Sequence, residues 1–172
     1  MPQARPIPGP LEGCDSGLRW IVDNADSIGI DPSRIGVAGV GAGGALAAGL
    51  ALLASDRAEI PLSFQLLECP MIDDRQTTSS SQLDGLPILS RESNTFGWQS
   101  YLGDLYGSDD VPYAAAPARA TDLSGLLAAF ISVGSVVPNP KRRLVLAVLC
   151  IAILVVGIDG PVVNIALPSL EH

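Results

Sequence analysis

The sequence predicts an α/β fold: a parallel sheet of three or four strands with flanking helices. The prediction depends on the order of a few features. A short apolar run at residues 34–40 is followed by a glycine-rich stretch and then by an alanine-rich stretch at residues 45–54. A second apolar run follows at residues 62–67. A strand, a crossover helix and a second strand in this order form the right-handed unit of a parallel sheet.

The first half of the chain gives a local signal for each element. Residues 1–12 contain four prolines and no apolar periodicity, so we expect a surface lead-in. Residues 17–28 place apolar side chains three and four positions apart, which predicts a helix. Residues 34–40 have the continuous apolar character of a strand that is buried on both faces. Residues 45–54 are rich in strong helix formers.

The second half is less regular. Asp, Ser, Thr, Gly and Pro dominate residues 70–122, and long periodic runs are missing there. Within this region, residues 90–106 are predicted to hold a helix that carries several aromatic side chains. Residues 126–134 return to an apolar, strand-like pattern, and the prolines after them predict a linker.

Composition narrows the class of protein. The chain is 48% hydrophobic and 16% charged, which excludes a disordered chain. A net charge of −8 argues against a nucleic-acid partner. The three cysteines have no close spacing, so they predict neither a disulfide framework nor a metal motif. Residues 1–13 lack the apolar run of a signal peptide, which favours a cytoplasmic or membrane-associated protein.

The glycine-rich stretch has the frame of a nucleophile elbow. In that motif, G-x-S-x-G joins a strand to a helix, and a serine on the strained turn exposes its hydroxyl at the top of the sheet. Residues 39–43 here read Gly-Val-Gly-Ala-Gly, between the predicted strand and the predicted helix. The spacing matches the motif, but Gly41 stands where the serine would be and has no side chain to attack a carbonyl.

Further short segments occur in the order found in one known family: Gly17-Leu18-Arg19-Trp20, Asp31-Pro32-Ser33-Arg34-Ile35, Val37-Ala38-Gly39, Ala42-Gly43-Gly44, Phe64-Gln65-Leu66-Leu67, Pro70-Met71-Ile72-Asp73-Asp74-Arg75, Gly97-Trp98, Tyr113-Ala114, Pro117-Ala118-Arg119-Ala120 and Asp122-Leu123-Ser124-Gly125-Leu126. Residues 10–134 thereby resemble the hormone-sensitive-lipase branch of the α/β-hydrolases, the bacterial family IV esterases. The resemblance implies a partial α/β-hydrolase fold and hydrolysis of small carboxylic esters without a cofactor. It also implies that the backbone N–H of Ala42 belongs to the oxyanion hole.

The sequence departs from the family at each catalytic position. The family has Gly-Asp-Ser-Ala-Gly-Gly at the elbow, where this chain has Val40 and Gly41 for Asp-Ser. The family's catalytic aspartate lies in a Gly-Glu-x-Asp-Pro pattern, and Val137 takes its place here. The family's His-Gly-Gly-Gly motif is missing, and the only histidine is His172. The resemblance therefore predicts a truncated serine esterase without a usable triad.

The same glycines allow other interpretations. Gly39, Gly41 and Gly44 satisfy G-x-G-x-x-G, the fingerprint of a dinucleotide-binding unit, and Glu68 would then hold a ribose. A loop that only packs a helix onto a sheet is the plainer alternative, and the long resemblance makes dinucleotide binding the weaker hypothesis.

Two other groups are candidates for the site. Asp73, Asp74 and Arg75 follow a predicted strand end and could act as acids or bases. We favour a solvated turn for these three residues. The aromatic side chains of the predicted helix at residues 90–106 could line an acyl pocket, and we favour core packing for them: Phe96, Trp98 and Tyr101.

The end of the chain differs from the rest. Basic residues 141–143 precede an apolar segment from Leu144 to Leu167 that Asp159-Gly160-Pro161 interrupts. Its later part resembles the first helix of major-facilitator drug exporters through these residues: Asp159-Gly160 and Val163-Asn164-Ile165-Ala166-Leu167-Pro168-Ser169. A membrane span needs about 20 residues, and the uninterrupted apolar run at residues 144–158 is shorter than that. The segment therefore predicts either a membrane contact or a buried helix.

These observations divide the chain into four parts. Residues 1–137 are predicted to be a truncated α/β-hydrolase core, residues 138–143 a linker, residues 144–169 the apolar segment, and residues 170–172 the scar of an expression tag. In the resembling family the strand at residues 34–40 is central, and sequence upstream of residue 1 forms one of its neighbours. We therefore expect this strand to have an unpaired apolar edge, which would recruit another chain. We therefore expect a homo-oligomer. A non-catalytic membrane-associated or self-assembling fragment is the alternative to an esterase-derived domain.

Overall fold

A computed structural model describes residues 9–85 and 89–134 of the chain. Its sheet has three strands, β1 (Ile35–Val40), β2 (Leu62–Glu68) and β3 (Ala129–Ser132), in the order β1-β2-β3. β1 pairs with β2 in parallel, and β2 pairs with β3 in parallel. The predicted parallel sheet with flanking helices is therefore confirmed.

Four helices accompany the sheet in the described part of the chain: α1 (Gly9–Asp23), α2 (Ala25–Ile28), α3 (Ala42–Arg57) and α4 (Arg91–Leu102). Short 3₁₀ turns also occur: Pro32–Arg34, Ser79–Gln82, Gly103–Leu105 and Pro117–Arg119. The first of these turns is closed by Asp31, whose side chain accepts a hydrogen bond of 2.9 Å from the Ser33 N–H. Asp31, Pro32 and Ser33 are residue types that favour turns.

Two helix starts differ from the prediction. The prediction of a surface lead-in over residues 1–12 is wrong for residues 9–12, which begin α1 and bury Leu11. Pro10 is tolerated there because the first N–H groups of a helix have no intrahelical acceptor. The helix predicted at residues 45–54 starts earlier than expected, because α3 already begins at Ala42 within the glycine-rich stretch.

The core lies between the sheet and the helices α1 and α3. α3 is buried over most of its length, and Ala51 at its centre is fully buried. Its small side chains allow close packing: a Cβ atom on Gly49 would overlap the carbonyl oxygen of Ala114. The buried members of this core are Leu11, Leu18, Val37, Ala47, Ala48, Leu50, Ala51, Ile60, Leu67 and Ala114.

The other face of the sheet is apolar and exposed. Ala38, Leu66 and Phe130 are register partners on neighbouring strands, so their side chains share one face. Phe64 shares that face, because its ring would meet a Cβ atom on Gly36 of β1. Phe64, Leu66 and Phe130 are 48%, 42% and 65% exposed. The helices α1 and α3 therefore cover the sheet on one side only.

The predicted linker at 138–143, the apolar segment at 144–169, the scar at 170–172 and the position of Val137 all lie outside the described residues. Within residues 9–85 and 89–134, none of the helices has both the length and the apolar character that a membrane span requires.

Candidate active site

Gly41 forms the turn between β1 and α3. Its backbone has φ 57° and ψ −119°, a backbone conformation that residues other than glycine rarely adopt. The Gly41 N–H donates a hydrogen bond of 2.9 Å to the carbonyl of Glu68, at the end of β2. Its carbonyl accepts bonds of 3.2 Å from the Ala45 N–H and of 3.0 Å from the Met71 N–H. The tight strand-to-helix turn predicted from the glycine spacing is confirmed.

The glycines on either side of the turn pack closely against neighbouring atoms. A Cβ atom on Gly39 would overlap the backbone carbonyl of Gly43, so only glycine fits at position 39. A Cβ atom on Gly44 would lie 3.0 Å from the Cβ atom of Pro70 and 3.1 Å from the carbonyl oxygen of Gly39. These contacts let α3 start directly against the end of β1. Of the two outer glycines of the G-x-x-x-G frame, these contacts require Gly39 but not Gly43.

The turn itself has room for a side chain. A Cβ atom on Gly41 would meet no atom of residues 9–85 and 89–134 within 4 Å, so a side chain at this position would project away from these residues. Ala42, the first residue of α3, is exposed. The first N–H groups of a helix have no intrahelical acceptor and carry partial positive charge. The open position at Gly41 thus lies beside the backbone N–H donor of Ala42.

The carboxyl ends of the three strands meet beside this turn. Val40 is in register with Glu68, and Glu68 is in register with Ser132. Ligands of open α/β sheets bind outside this edge, where loops leave the strands. Cys69 follows β2 at this edge, with a positive φ of 43°, and its N–H donates to the Ser132 carbonyl at 2.6 Å. The candidate site therefore lies at the edge where Gly41 turns.

The structure describes two of the three predicted catalytic positions. Gly41 and the backbone N–H of Ala42 are adjacent at the turn. Val137, the position of the catalytic acid by resemblance, follows β3 and lies outside the described residues. The assignment of these three residues to the nucleophile, oxyanion and acid positions stays a prediction.

Asp73, Asp74 and Arg75 do not form one solvated turn. Arg75 donates to the Asp73 carboxylate with Nε at 2.8 Å, and this hydrogen bond lowers the pKa of Asp73. Asp74 is only 3% exposed, so the prediction of a solvated turn is wrong for this residue. Arg119 donates two hydrogen bonds of 2.8 Å to Asp74, from Nε to Oδ1 and from Nη2 to Oδ2. The local sequence gave no sign of this partner.

The aromatic residues of α4 divide between core and surface. Trp98 is buried in a second apolar cluster with Leu102, Val111, Ala115 and Ala116, as core packing predicts. Tyr101 packs at the edge of that cluster, with its ring centroid 6.2 Å from that of Trp98. The prediction of core packing is wrong for Phe96, which is 71% exposed because it projects from the outer side of α4.

The contacts of the glycine frame are made with protein atoms. Gly39 packs against Gly43, Gly44 packs against Pro70, and the Glu68 carbonyl accepts the Gly41 N–H. Packing of a helix on a sheet accounts for these contacts. The dinucleotide-binding alternative stays a prediction. In the part of the chain that the structure describes, no group of three or more His, Cys, Asp or Glu residues is placed to hold a metal ion.

Two curated relatives of this chain are esterases by name. Carboxylesterase NlhH of Mycobacterium tuberculosis is 40% identical over 140 residues, which are 80% of this chain and 43% of that protein. Esterase LipI of the same organism is 33% identical over 134 residues, which are 77% of this chain and 42% of that protein. The chain thus spans less than half the length of these relatives.

Solved structures and a family model agree with this similarity. The bacterial heroin esterase is 43% identical with a TM-score of 0.72, over 74% of this chain and 41% of that chain. Esterase LipW from Mycobacterium marinum is 38% identical with a TM-score of 0.67, over 74% of this chain and 39% of that chain. The model of the α/β-hydrolase fold family matches residues 2–142, which is most of the sequence. On these grounds the chain belongs to the α/β-hydrolase fold family.

Proposed function

We propose that this chain is an esterase-derived domain of the hormone-sensitive-lipase branch that has lost its serine chemistry. One observation carries the proposal: the turn at Gly41 keeps the strained strand-to-helix geometry and the open space of a nucleophile position, yet it has no side chain. Its relatives NlhH and the bacterial heroin esterase, both esterases by name, support the ester class of ligand.

The missing hydroxyl removes the first chemical step. In a serine esterase the hydroxyl oxygen attacks the ester carbonyl carbon, a base accepts the hydroxyl proton, and backbone N–H groups stabilise the resulting oxyanion. Gly41 has no atom that can form the acyl bond. The Ala42 N–H could still donate to a carbonyl oxygen at the open position, so a small ester could bind there without being cleaved.

The test is a labelling and turnover experiment on the full chain. Wild-type protein is incubated with a fluorophosphonate probe, and hydrolysis of p-nitrophenyl acetate is followed in parallel, with an active family IV esterase as the positive control. We expect no stoichiometric label and no turnover above the buffer rate. Stoichiometric labelling together with turnover would refute the proposal, and mass spectrometry would then identify the modified residue.

A Gly41→Ser variant separates the loss of the nucleophile from the loss of the rest of the triad. We expect the variant to remain without turnover, because Val137 takes the place of the acid and the only histidine is His172. A serine without its base retains only residual catalysis. Restoration of turnover by this single change would show that a base is available to position 41.

Self-association without catalysis is a second candidate role. The exposed apolar face formed by Phe64, Leu66 and Phe130 favours it, because large apolar patches on soluble domains mark interaction sites.

A further inference from the structure

The loop that follows β2 is joined to the Gly41 turn by one hydrogen bond. The Met71 N–H donates to the Gly41 carbonyl at 3.0 Å. Pro70, one residue earlier, packs against Gly44 in the first turn of α3. A shift of residues 69–75 would therefore move the donor that is bonded to the Gly41 carbonyl.

The same loop is fixed on its other side by a buried ion pair. The Asp74 and Arg119 side chains are 1% and 14% exposed, and two 2.8 Å hydrogen bonds join them. Arg119 also donates from Nη2 to the Ser108 carbonyl at 3.0 Å. Both Asp74 oxygens are thereby satisfied, and the pair links residues from three separate segments of the chain.

Backbone bonds on both sides of the ion pair strengthen this link. The Ala118 N–H donates to the Ile72 carbonyl at 3.0 Å, and Arg75 Nη2 donates to the Ala118 carbonyl at 3.2 Å. These two bonds thus fix residues 72–75 and residues 117–119 relative to each other. A buried ion pair is weak evidence for stability, since desolvation offsets most of the attraction, and fixing one arrangement of segments is its better-supported effect.

We propose that Asp74 and Arg119 are positioning residues for the Gly41 turn: their ion pair holds residues 69–75 so that Met71 stays bonded to the Gly41 carbonyl. The role does not depend on whether the site binds or cleaves an ester. It predicts a local effect at the turn that exceeds the effect on the rest of the core.

Amide hydrogen exchange in the full chain, followed by NMR, measures this local effect. The Met71 amide reports the turn, and the amide of Ala51, fully buried in α3, reports the core. In Asp74→Asn we expect Met71 exchange to rise by about tenfold or more relative to Ala51, because the loop opens without global unfolding. Asp84→Asn is the control, since Asp84 forms an exposed ion pair with Arg91 outside residues 69–75 and 117–119; it should change this ratio by less than about twofold.

Arg119→Lys covers the case in which Asp74→Asn does not fold. Lysine keeps the positive charge but loses the two-pronged geometry, so the ratio of Met71 to Ala51 exchange should still rise. An unchanged ratio in the folded variants would overturn the proposal. So would equal acceleration of both amides, because that result assigns the pair to global stability alone.

Discussion

Gly39 in β1 lies so close to Gly43 in α3 that a Cβ atom on Gly39 would overlap the Gly43 carbonyl oxygen. The relationship is not symmetrical, because a Cβ atom on Gly43 would meet none of the residues that the structure describes within 4 Å. Of these two glycines of one short motif, packing therefore requires only the first to be glycine. The strand-to-helix turn depends on the first of them.

Gly39→Ala should destabilise the fold strongly. The added methyl group cannot avoid the backbone of α3, and overpacking of this kind costs about 1–3 kcal/mol or more. Gly43→Ala is the matched control and should leave stability unchanged or raise it by up to about 1 kcal/mol, because alanine is the better helix former. Urea unfolding followed by circular dichroism measures both changes, and equal stability of the two variants would contradict the contact between Gly39 and Gly43.

Gly41→Ser should lower stability for a different reason. A Cβ atom at position 41 has open space, but the φ of 57° is strained for any residue other than glycine. Strain of this kind costs about 1–3 kcal/mol. Gly97→Ala provides the comparison, since Gly97 lies inside α4 with nothing near its Cβ position, and it should stabilise instead. A Gly41→Ser variant as stable as wild type in urea would mean that the turn relaxes.

The central part of the fold was predictable because its signals are local. An apolar run, a glycine and an alanine-rich stretch follow one another in the sequence, and each determines its own backbone conformation. Asp74 was not predictable in this way. Its neighbours are typical of a solvated turn, and its partner Arg119 lies 45 positions further along the chain. The exposure of Phe96 was missed for a related reason, because a helical pattern in α4 does not tell which side meets the core.

Tyr101→Phe should be neutral or stabilising. The Tyr101 hydroxyl is buried and finds no hydrogen-bond partner among the described residues, and burial raises its pKa. An unsatisfied buried polar group costs about 1–3 kcal/mol, so removing it relieves that cost. Tyr113→Phe is the control, since the Tyr113 hydroxyl donates to Asp56. Destabilisation by Tyr101→Phe in urea unfolding would reveal an acceptor for this hydroxyl.

Asp15 should make stability depend on acid pH. Burial alone would raise the pKa of its carboxyl, but hydrogen bonds from Arg57 and Arg19 outweigh that effect and lower it. A carboxyl with a lower pKa in the folded chain stabilises the fold above its unfolded pKa of about 3.9 and loses that contribution as the pH falls through its folded value.

Asp15→Asn should therefore be less stable than wild type at neutral pH, and the difference should vanish in strong acid. We expect no more than about 1 kcal/mol, since the Arg57 side chain is partly exposed to solvent. Urea unfolding at neutral and acid pH measures the difference, with Asp26→Asn, at an exposed carboxylate of α2, as the control. A difference that grows toward acid would contradict the lowered pKa.

Self-association should depend on the exposed apolar face of the sheet. Phe64, Leu66 and Phe130 lie on that face and remain largely exposed. Burying one such side chain is worth about 1.5–3 kcal/mol, and about 1.4 kcal/mol corresponds to a tenfold change in affinity. Phe130→Ser should therefore weaken association by about tenfold or more, as measured by light scattering across micromolar concentrations without detergent.

Phe96→Ser separates this surface from exposed apolar side chains in general. Phe96 lies on α4 and is at least as exposed as Phe130, so a nonspecific effect of hydrophobic exposure would respond equally to both changes. We expect Phe96→Ser to leave the mass distribution unchanged, because association through the sheet needs its strands and not α4. Circular dichroism of both variants confirms that the fold persists. A wild-type chain that scatters as a sharp monomer would refute the prediction, and equal effects of the two substitutions would assign the association to another surface.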